Sequence, residues 1–388
     1  MLASNGVKKK ILVVTGTRAE YGQLRSTMDA IRAHQDLDLK LLVTGMHTLK
    51  SYGNTQEWIK KDGYTIDCVV PVRDGSDMLQ SLSQEIDGIR DHCMNERPDC
   101  VLVLGDRDEP LAAAIVATHL NIPVAHIHGG DISGPSVDET IRHTITKMAH
   151  LHFPGTHKSA LRIRAMGEES WRIFEIGTVV LDILEKETLS DRTHVAEELH
   201  LDPARAWLTV VQHPAAFAPT PLPEQITATM RALEKFPEHE KIVLYPNSDT
   251  GTEMFVETIQ KLKGPRYHVI KSLPRAVYMS AVKESDALIG NSSAGIVETS
   301  YLGTPTVNIG DRQKGREHGE SVIHTSYDES EIERSIHGAI DLKKKQGGKA
   351  FSSPYGKTGA GVRIAEILAR ELSRPEILNK YLFFPKEE

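Results

Sequence analysis

The chain is poor in cysteine, in aromatic residues and in long apolar runs, and each shortage removes a class of protein. Cysteine occurs three times, as Cys68, Cys93 and Cys100. An odd count with no close pair at metal-ligand or redox spacing argues against a disulfide framework and fits a reducing cytoplasm. Aromatic residues make up 5% and the net charge is -7. The basic run at 8–10 leads into an apolar segment with no aromatics interleaved, so nucleic acid is not an expected partner. That apolar segment, 11–14, ends at Thr15 and Gly16, too short for a signal-peptide core or a membrane span. No membrane association is expected. No Gly-x-Gly-x-x-Gly fingerprint follows a strand-like run, and neither a P-loop nor a Gly-x-Ser-x-Gly elbow is present, which takes support from nicotinamide, flavin, P-loop and serine-hydrolase chemistry.

What the sequence does contain is an alternation. With 388 residues, 39% of them hydrophobic, the chain exceeds the size at which one core usually stops growing, and two domains are expected. Short β-branched runs at 11–14, 39–43, 68–72, 101–104, 124–127 and 172–176 read as strands, separated by helix-length amphipathic segments. This predicts βαβ units and a parallel sheet covered on both faces. A charged stretch at 181–205, with Asp202-Pro203 as a stop, precedes a second series at 207–211, 241–245, 268–270, 287–289 and 306–309. The expected division is an N-terminal catalytic domain at 1–185, a linker at 186–205, a C-terminal nucleotide domain at 206–358 and a final helical segment at 359–388, packing on either domain. The fold class is α/β, two Rossmann-like domains.

In open α/β sheets ligands bind beyond the carboxyl ends of the strands. The first strand empties into Thr15–Gly22, where a glycine turn, a helix start and Arg18 suit an anion. Another ends in Asp106 and Arg107, and the next in His126-Ile127-His128-Gly129-Gly130-Asp131. Strand alternation puts His126 and His128 on one face and offers Asp106, His128 and Asp131 to one crevice. In the helix after it, Asp138 stands one turn from Arg142 and Glu139 one turn from His143. The His-x-His pair with carboxylates also has the chemistry of a zinc site, but no closed set of four ligands appears. His150 and His152 read as satisfied core or surface residues. In the second half, Gln212-His213-Pro214, Pro246-Asn247-Ser248-Asp249 and Gly290-Asn291-Ser292-Ser293 follow strands. The last suggests a helix N-terminus for a diphosphate, with Glu298 farther along that helix taking ribose hydroxyls and Arg316 adding positive charge. A plain capping turn is the competing reading.

The ordered set 15–22, 105–107, 128–131, 138–147, 212–214, 290–295 and 303–310 resembles the UDP-N-acetylglucosamine 2-epimerase family nearly end to end, and its hydrolysing branch most. The resemblance implies the GT-B arrangement, with the active site in the cleft between two domains. It implies release of UDP through a 2-acetamidoglycal, hydration to the free 2-epimeric sugar, and a place in making sialic or legionaminic acid precursors. By carry-over, Asp106 and Asp138 take acid and base roles beside Glu139 and Arg142. His213 reaches the substrate, and either His128 or Asp131 is the second catalytic group. Arg18, Arg107, Asn247, Ser292, Ser293, Glu298 and Arg316 bind the UDP-sugar. No metal or organic cofactor is implied; a homo-oligomer, dimer or tetramer, is. Open alternatives are the non-hydrolysing epimerase, a glycosyltransferase of the same architecture and a nucleotide-sugar binding protein. Whether the sugar is N-acetylglucosamine or a 2,4-diacetamido-trideoxy hexose stays open.

Overall fold

The computed structural model describes residues 7–50, 53, 55–132, 137–216, 218–247 and 251–384. The chain forms two compact units, Met1–Glu185 with Tyr355–Glu388, and Lys186–Pro354. The strands of the first are β1 (Lys9–Thr15), β2 (Leu37–Val43), β3 (Cys68–Val69), β4 (Cys100–Leu104), β5 (Val124–Ile127) and β6 (Leu151–Phe153); those of the second are β7 (Trp207–Val211), β8 (Glu240–Leu244), β9 (Tyr267–Ile270), β10 (Ala287–Gly290), β11 (Thr306–Ile309) and β12 (Val322–Thr325).

Each unit holds one six-stranded sheet, in the orders β3-β2-β1-β4-β5-β6 and β12-β11-β10-β7-β8-β9. Every ladder is parallel. Counted from its own first strand, each sheet has the doubly wound order 3-2-1-4-5-6, so the units repeat one topology. The strand order reverses between β1 and β4 in one sheet and between β7 and β10 in the other, and the crevice at that point is where such sheets take ligands.

The sheets are parallel because helices cover both faces. On β1, Ile11 and Val13 pack with Leu24, Met28, Ile31, Ile364 and Leu368, whereas Leu12 and Val14 pack with Ile89, Ala113, Ile141 and Ile145. Period-two alternation therefore feeds two separate cores, one on each face. Truncating fully buried Leu12 to alanine should cost about 2–5 kcal/mol, read from denaturant unfolding. The final helix, Ala360–Glu371, packs on the helix Arg18–Ala33 of the first unit. The Asp182 carboxylate caps it, accepting from the amides of Gly359, Ala360 and Gly361 at 2.6, 3.1 and 2.7 Å, so three main-chain donors at the helix N-terminus meet one negative charge.

Three differences from expectation concern strands. Of residues 172–176, Arg172 ends a 3-10 turn, Ser170–Arg172, and Ile173 makes a single bridge to His152. Arg172 is fully buried and donates to the carbonyls of Ile377 and Asn379 at 2.8 and 2.9 Å, so this segment anchors the C-terminal tail instead of extending the sheet. Of 68–72, Cys68–Val69 alone joins the ladder; Pro71 has no amide to donate. Strands β6 and β12 were not anticipated, being three and four residues long with polar positions inside. Among the described residues no helix is long and apolar enough to cross a membrane.

Candidate active site

In the first unit the chemistry gathers on one guanidinium. Arg142 lies on the helix Val137–Met148, whose apolar stripe Ile141 and Ile145 packs on the sheet and so turns Arg142 toward the strand ends. Its side chain is 5% exposed, yet it ion-pairs with Asp106, just past β4, and with Glu139 at 2.7 Å, and it donates to the carbonyl of Asp131 at 3.1 Å. A buried charge persists when it is paired and hydrogen-bonded throughout, as here. Glu139 also meets His143 at 3.2 Å. The sequence pairing of Glu139 with His143 is thus present, and Arg142 additionally draws in Asp106 from a different strand. Asp138 is exposed on the first turn of the helix, close enough to act on Arg107 and Asp108; burial raises the Asp108 carboxyl, Arg107 opposes this and Asp138 adds to it.

The two histidines of the next strand do not share a face. His126 ends buried inside β5, with Nε2 on the Gly105 carbonyl at 2.8 Å and Nδ1 beside the Thr146 hydroxyl at 3.3 Å. Burial pushes its pKa down to about 3, so it is a neutral structural residue. His128 follows the strand in a left-handed conformation, φ 61, which breaks the alternation and sets its Nε2 beside the Thr178 hydroxyl at 3.3 Å. Asp131 accepts from the Ser159 hydroxyl at 2.6 Å. His150 and His152 are buried and engaged, by Val124 at 3.1 Å and Glu168 at 3.2 Å. Among the described residues no group of three or more His, Cys, Asp and Glu side chains is arranged to hold a metal ion.

At the switch point the loop after β1 is lined by carboxylates that the sequence reading passed over. Thr17 caps the helix Arg18–Ala33, accepting from Glu20 at 3.3 Å. Arg18 is exposed and stacks on the Trp58 ring at 3.8 Å, which holds an otherwise mobile cation in one place. Glu20, Glu85 and Glu109 are all buried, with Glu109 close enough to act on the other two. Arg107 donates to Glu109 at 3.3 Å. Burial, reinforced by the Glu109 charge, raises the Glu20 carboxyl well above its usual range and pushes Glu85 up to about 8. The unfolded chain titrates this carboxyl near 4.5, so the folded state binds the proton more tightly. The Glu85 contribution is complete below that value and is lost as pH rises through about 8. Glu85→Gln should therefore raise the thermal midpoint at pH about 8.5 by about 3 °C or more and change it little at pH about 5.

In the second unit the ends of β7 and β10 are stitched together. Asn291 is fully buried; its Oδ1 accepts from the His213 amide at 2.7 Å and its Nδ2 donates to the His213 carbonyl at 2.9 Å. Gln313 in turn donates to the Asn291 carbonyl at 2.8 Å. His213 Nδ1 accepts from the Asn247 amide at 3.0 Å, so the ring proton sits on Nε2 and that nitrogen is a donor. Asn247 itself is exposed; Ser248 and Asp249 lie outside the described residues.

The segment after β10 is shorter than expected. Its helix is a single turn, Ala294–Val297, and Glu298 follows it as the C-cap. Ser293 makes no side-chain capping bond, and Ser292 approaches the Ala294 amide at 3.4 Å. The hydroxyls of a capping turn would be committed to it; these are barely so. Glu298 is buried and ion-paired with Arg275, which also meets Glu187 at 3.1 Å. Arg316 is half-buried just beyond β11. The sequence missed Trp58, Ser159, Arg275 and the pinning role of Asn291. Only Asn291 left a signal, as a polar residue wedged between a strand-ending glycine and two serines.

The chain is similar to known proteins in sequence and in fold. Residues 29–369 match the family model described as UDP-N-acetylglucosamine 2-epimerase. The chain is 36% identical to the UDP-N,N'-diacetylbacillosamine 2-epimerase (hydrolyzing) of Legionella pneumophila, over 96% of this chain and 98% of that one. It is 35% identical to polysialic acid biosynthesis protein P7 of Escherichia coli, over 93% of each. The fold is also that of a crystal structure of a protein from Listeria monocytogenes described as a UDP-N-acetylglucosamine 2-epimerase, with a TM-score of 0.78 at 18% identity, covering 95% of this chain and 97% of that one. Matched by the family model over most of its length and more than a third identical to relatives across nearly all of both chains, the chain belongs to the UDP-N-acetylglucosamine 2-epimerase family.

Proposed function

We propose that the chain is a hydrolysing UDP-sugar 2-epimerase, converting a UDP-2-acetamido sugar and water to UDP and the free 2-epimeric sugar. The observation that carries this reading is the Arg142 cluster, which ties Asp106, Glu139 and the Asp131 loop together at the strand ends of the first sheet. Elimination needs a base at C2–H and a stabilised diphosphate leaving group; hydration then needs a group that delivers water to C1 and a proton to C2. Asp106 and Asp138 take the acid and base roles, with Glu139 and Arg142 fixing Asp106. The second unit holds UDP: Ser292 and Ser293 for the diphosphate, Asn247 and Arg316 around it, and Glu298 for the ribose after giving up part of its bond to Arg275. Arg18 and Arg107 supply positive charge for the UDP-sugar. His213 is a fixed donor from Nε2 toward the diphosphate. His213→Gln, which keeps a donor near that position, should retain about ten times more kcat/KM than His213→Asn, measured by UDP release; equal loss would remove the donor role.

A 2,4-diacetamido-2,4,6-trideoxy sugar is the favoured substrate, on the likeness to the Legionella relative, and UDP-N-acetylglucosamine is the other reading, on the family name. Either product belongs to the synthesis of sialic or legionaminic acid precursors, a setting that the Escherichia coli relative also supports. The three free cysteines support a cytoplasmic location, and family resemblance supports a homo-oligomer. Supplying each UDP-sugar separately and measuring kcat/KM for UDP release decides the substrate. The diacetamido sugar should exceed the other by about tenfold or more; absence of UDP from both would overturn the proposal.

A further inference from the structure

The loop that carries Asp131 is held by Arg142, already part of the site, and by Arg162 and Ser159, which no part of the reaction above employs. Arg142 donates to the Asp131 carbonyl at 3.1 Å, and Arg162, on the helix His157–Ala165, donates to the Gly130 carbonyl. Gly130 is left-handed, φ 74, and a Cβ there would stand 2.5 Å from the Ser159 carbonyl oxygen, so the loop lies directly on the first turn of that helix. From this turn Ser159, 3% exposed, donates its hydroxyl proton to Asp131 Oδ1 at 2.6 Å.

Ser159 has no choice of direction. Thr156 caps the same helix: its Oγ1 accepts the Ser159 amide at 3.2 Å and donates its own proton to Ser159 Oγ at 2.9 Å. A hydroxyl carries one proton. With Thr156 occupying its acceptor side, the proton of Ser159 points at Asp131. The charged groups facing the loop are Arg142 and, through it, Asp106 and Glu139 from one side, and Arg162 from the other. The Asp131 carbonyl and the Asp106 carboxylate thus share a single guanidinium, and His128 meets the Thr178 hydroxyl.

We infer that Ser159, directed by Thr156, is a positioning residue that fixes the Asp131 carboxylate, and that Asp131, not His128, is the further catalytic group that works beside Asp106 and Asp138. The inference rests on the hydrolysing reading. It is tested by UDP release from the sugar the wild type turns over and by the crystal structure of Ser159→Ala. That variant should lower kcat about tenfold or more with KM within about twofold, and Ser159→Thr should recover most of the loss. In an Asp131→Asn background the alanine should add nothing. Its structure should show the Asp131 carboxylate displaced. Unchanged kcat, an equal fall in the Asp131→Asn background, or an undisplaced carboxylate would overturn the inference. If Ser159→Ala does not fold, Ser159→Cys, a weak donor, takes its place. A wild type that releases no UDP defeats the hydrolysing reading instead, and the crystal structure still decides whether Ser159 holds Asp131.

Discussion

Replacing Arg142 by alanine lowers kcat for UDP release by about a thousandfold or more and destabilises the first unit by about 3–5 kcal/mol. The magnitude follows from what is left behind. Arg142 is the buried cation paired with Asp106 and Glu139, and it also satisfies the Asp131 carbonyl. Its removal strands two carboxylates in a half-buried site, where unpaired charge costs far more than the pair gained in forming. The carboxylates then repel one another, and Asp106 leaves the place from which it acts. Lysine does not substitute, because a point charge on a flexible stem cannot meet two carboxylates and a carbonyl through one planar fork. UDP affinity, which the proposed function assigns chiefly to the second unit, should change by less than about threefold in both variants. Steady-state kinetics, denaturant unfolding and calorimetric titration with UDP check the three parts. Turnover within about tenfold of the wild type would show that the cluster is not the reacting site.

The reverse pattern is expected from Gly290→Ala. Gly290 ends β10 beside Val211, its register partner at the end of β7. Its φ is 129, and a Cβ would lie 2.0 Å from the Val211 carbonyl oxygen, with the amide of Gln212 at 3.0 Å. Backbone cannot yield as a flexible side chain does, so the strands must part. The change should cost about 3 kcal/mol or more in the second unit. Because Asn291 holds both main-chain groups of His213 across this gap, parting the strands also removes the His213 donor and the serine loop from their places. UDP affinity should fall about a hundredfold. Thermal unfolding and calorimetry measure these quantities; an unchanged midpoint with full UDP affinity would contradict the account of how β7 and β10 are joined.

Much of the fold was legible because parallel strands buried on both faces read as short continuous apolar runs. The runs at 124–127, 207–211 and 306–309 coincide with β5, β7 and β11. The misses have physical causes. Strand β6 is a tripeptide continuing from the helix Val137–Met148 with Ala149 and His150 between, and its middle residue is a histidine whose Nε2 meets Glu168. The run at 172–176 looked like a strand, but the weight of that segment lies in Arg172, whose partners are main-chain carbonyls about two hundred residues onward and cannot be read locally. At the candidate site, the residues that stand at strand ends were visible as types: Asp106, Asp131, His213 and Ser292. Their connections were not. That one arginine joins Asp106 to the Asp131 loop, that His128 turns away through a positive φ, and that Glu298 follows a single helical turn all depend on conformations that spacing does not encode.

The central claim is one of chemistry: C2 is deprotonated, the C1–O bond to UDP is broken and water is added. Turnover in heavy water, followed by proton nuclear magnetic resonance, tests all three at once. The account predicts UDP together with a free sugar of inverted C2 configuration, carrying solvent deuterium at C2. Deuterium at C2 of an intact UDP-sugar, or UDP released with the C2 proton retained, would contradict it.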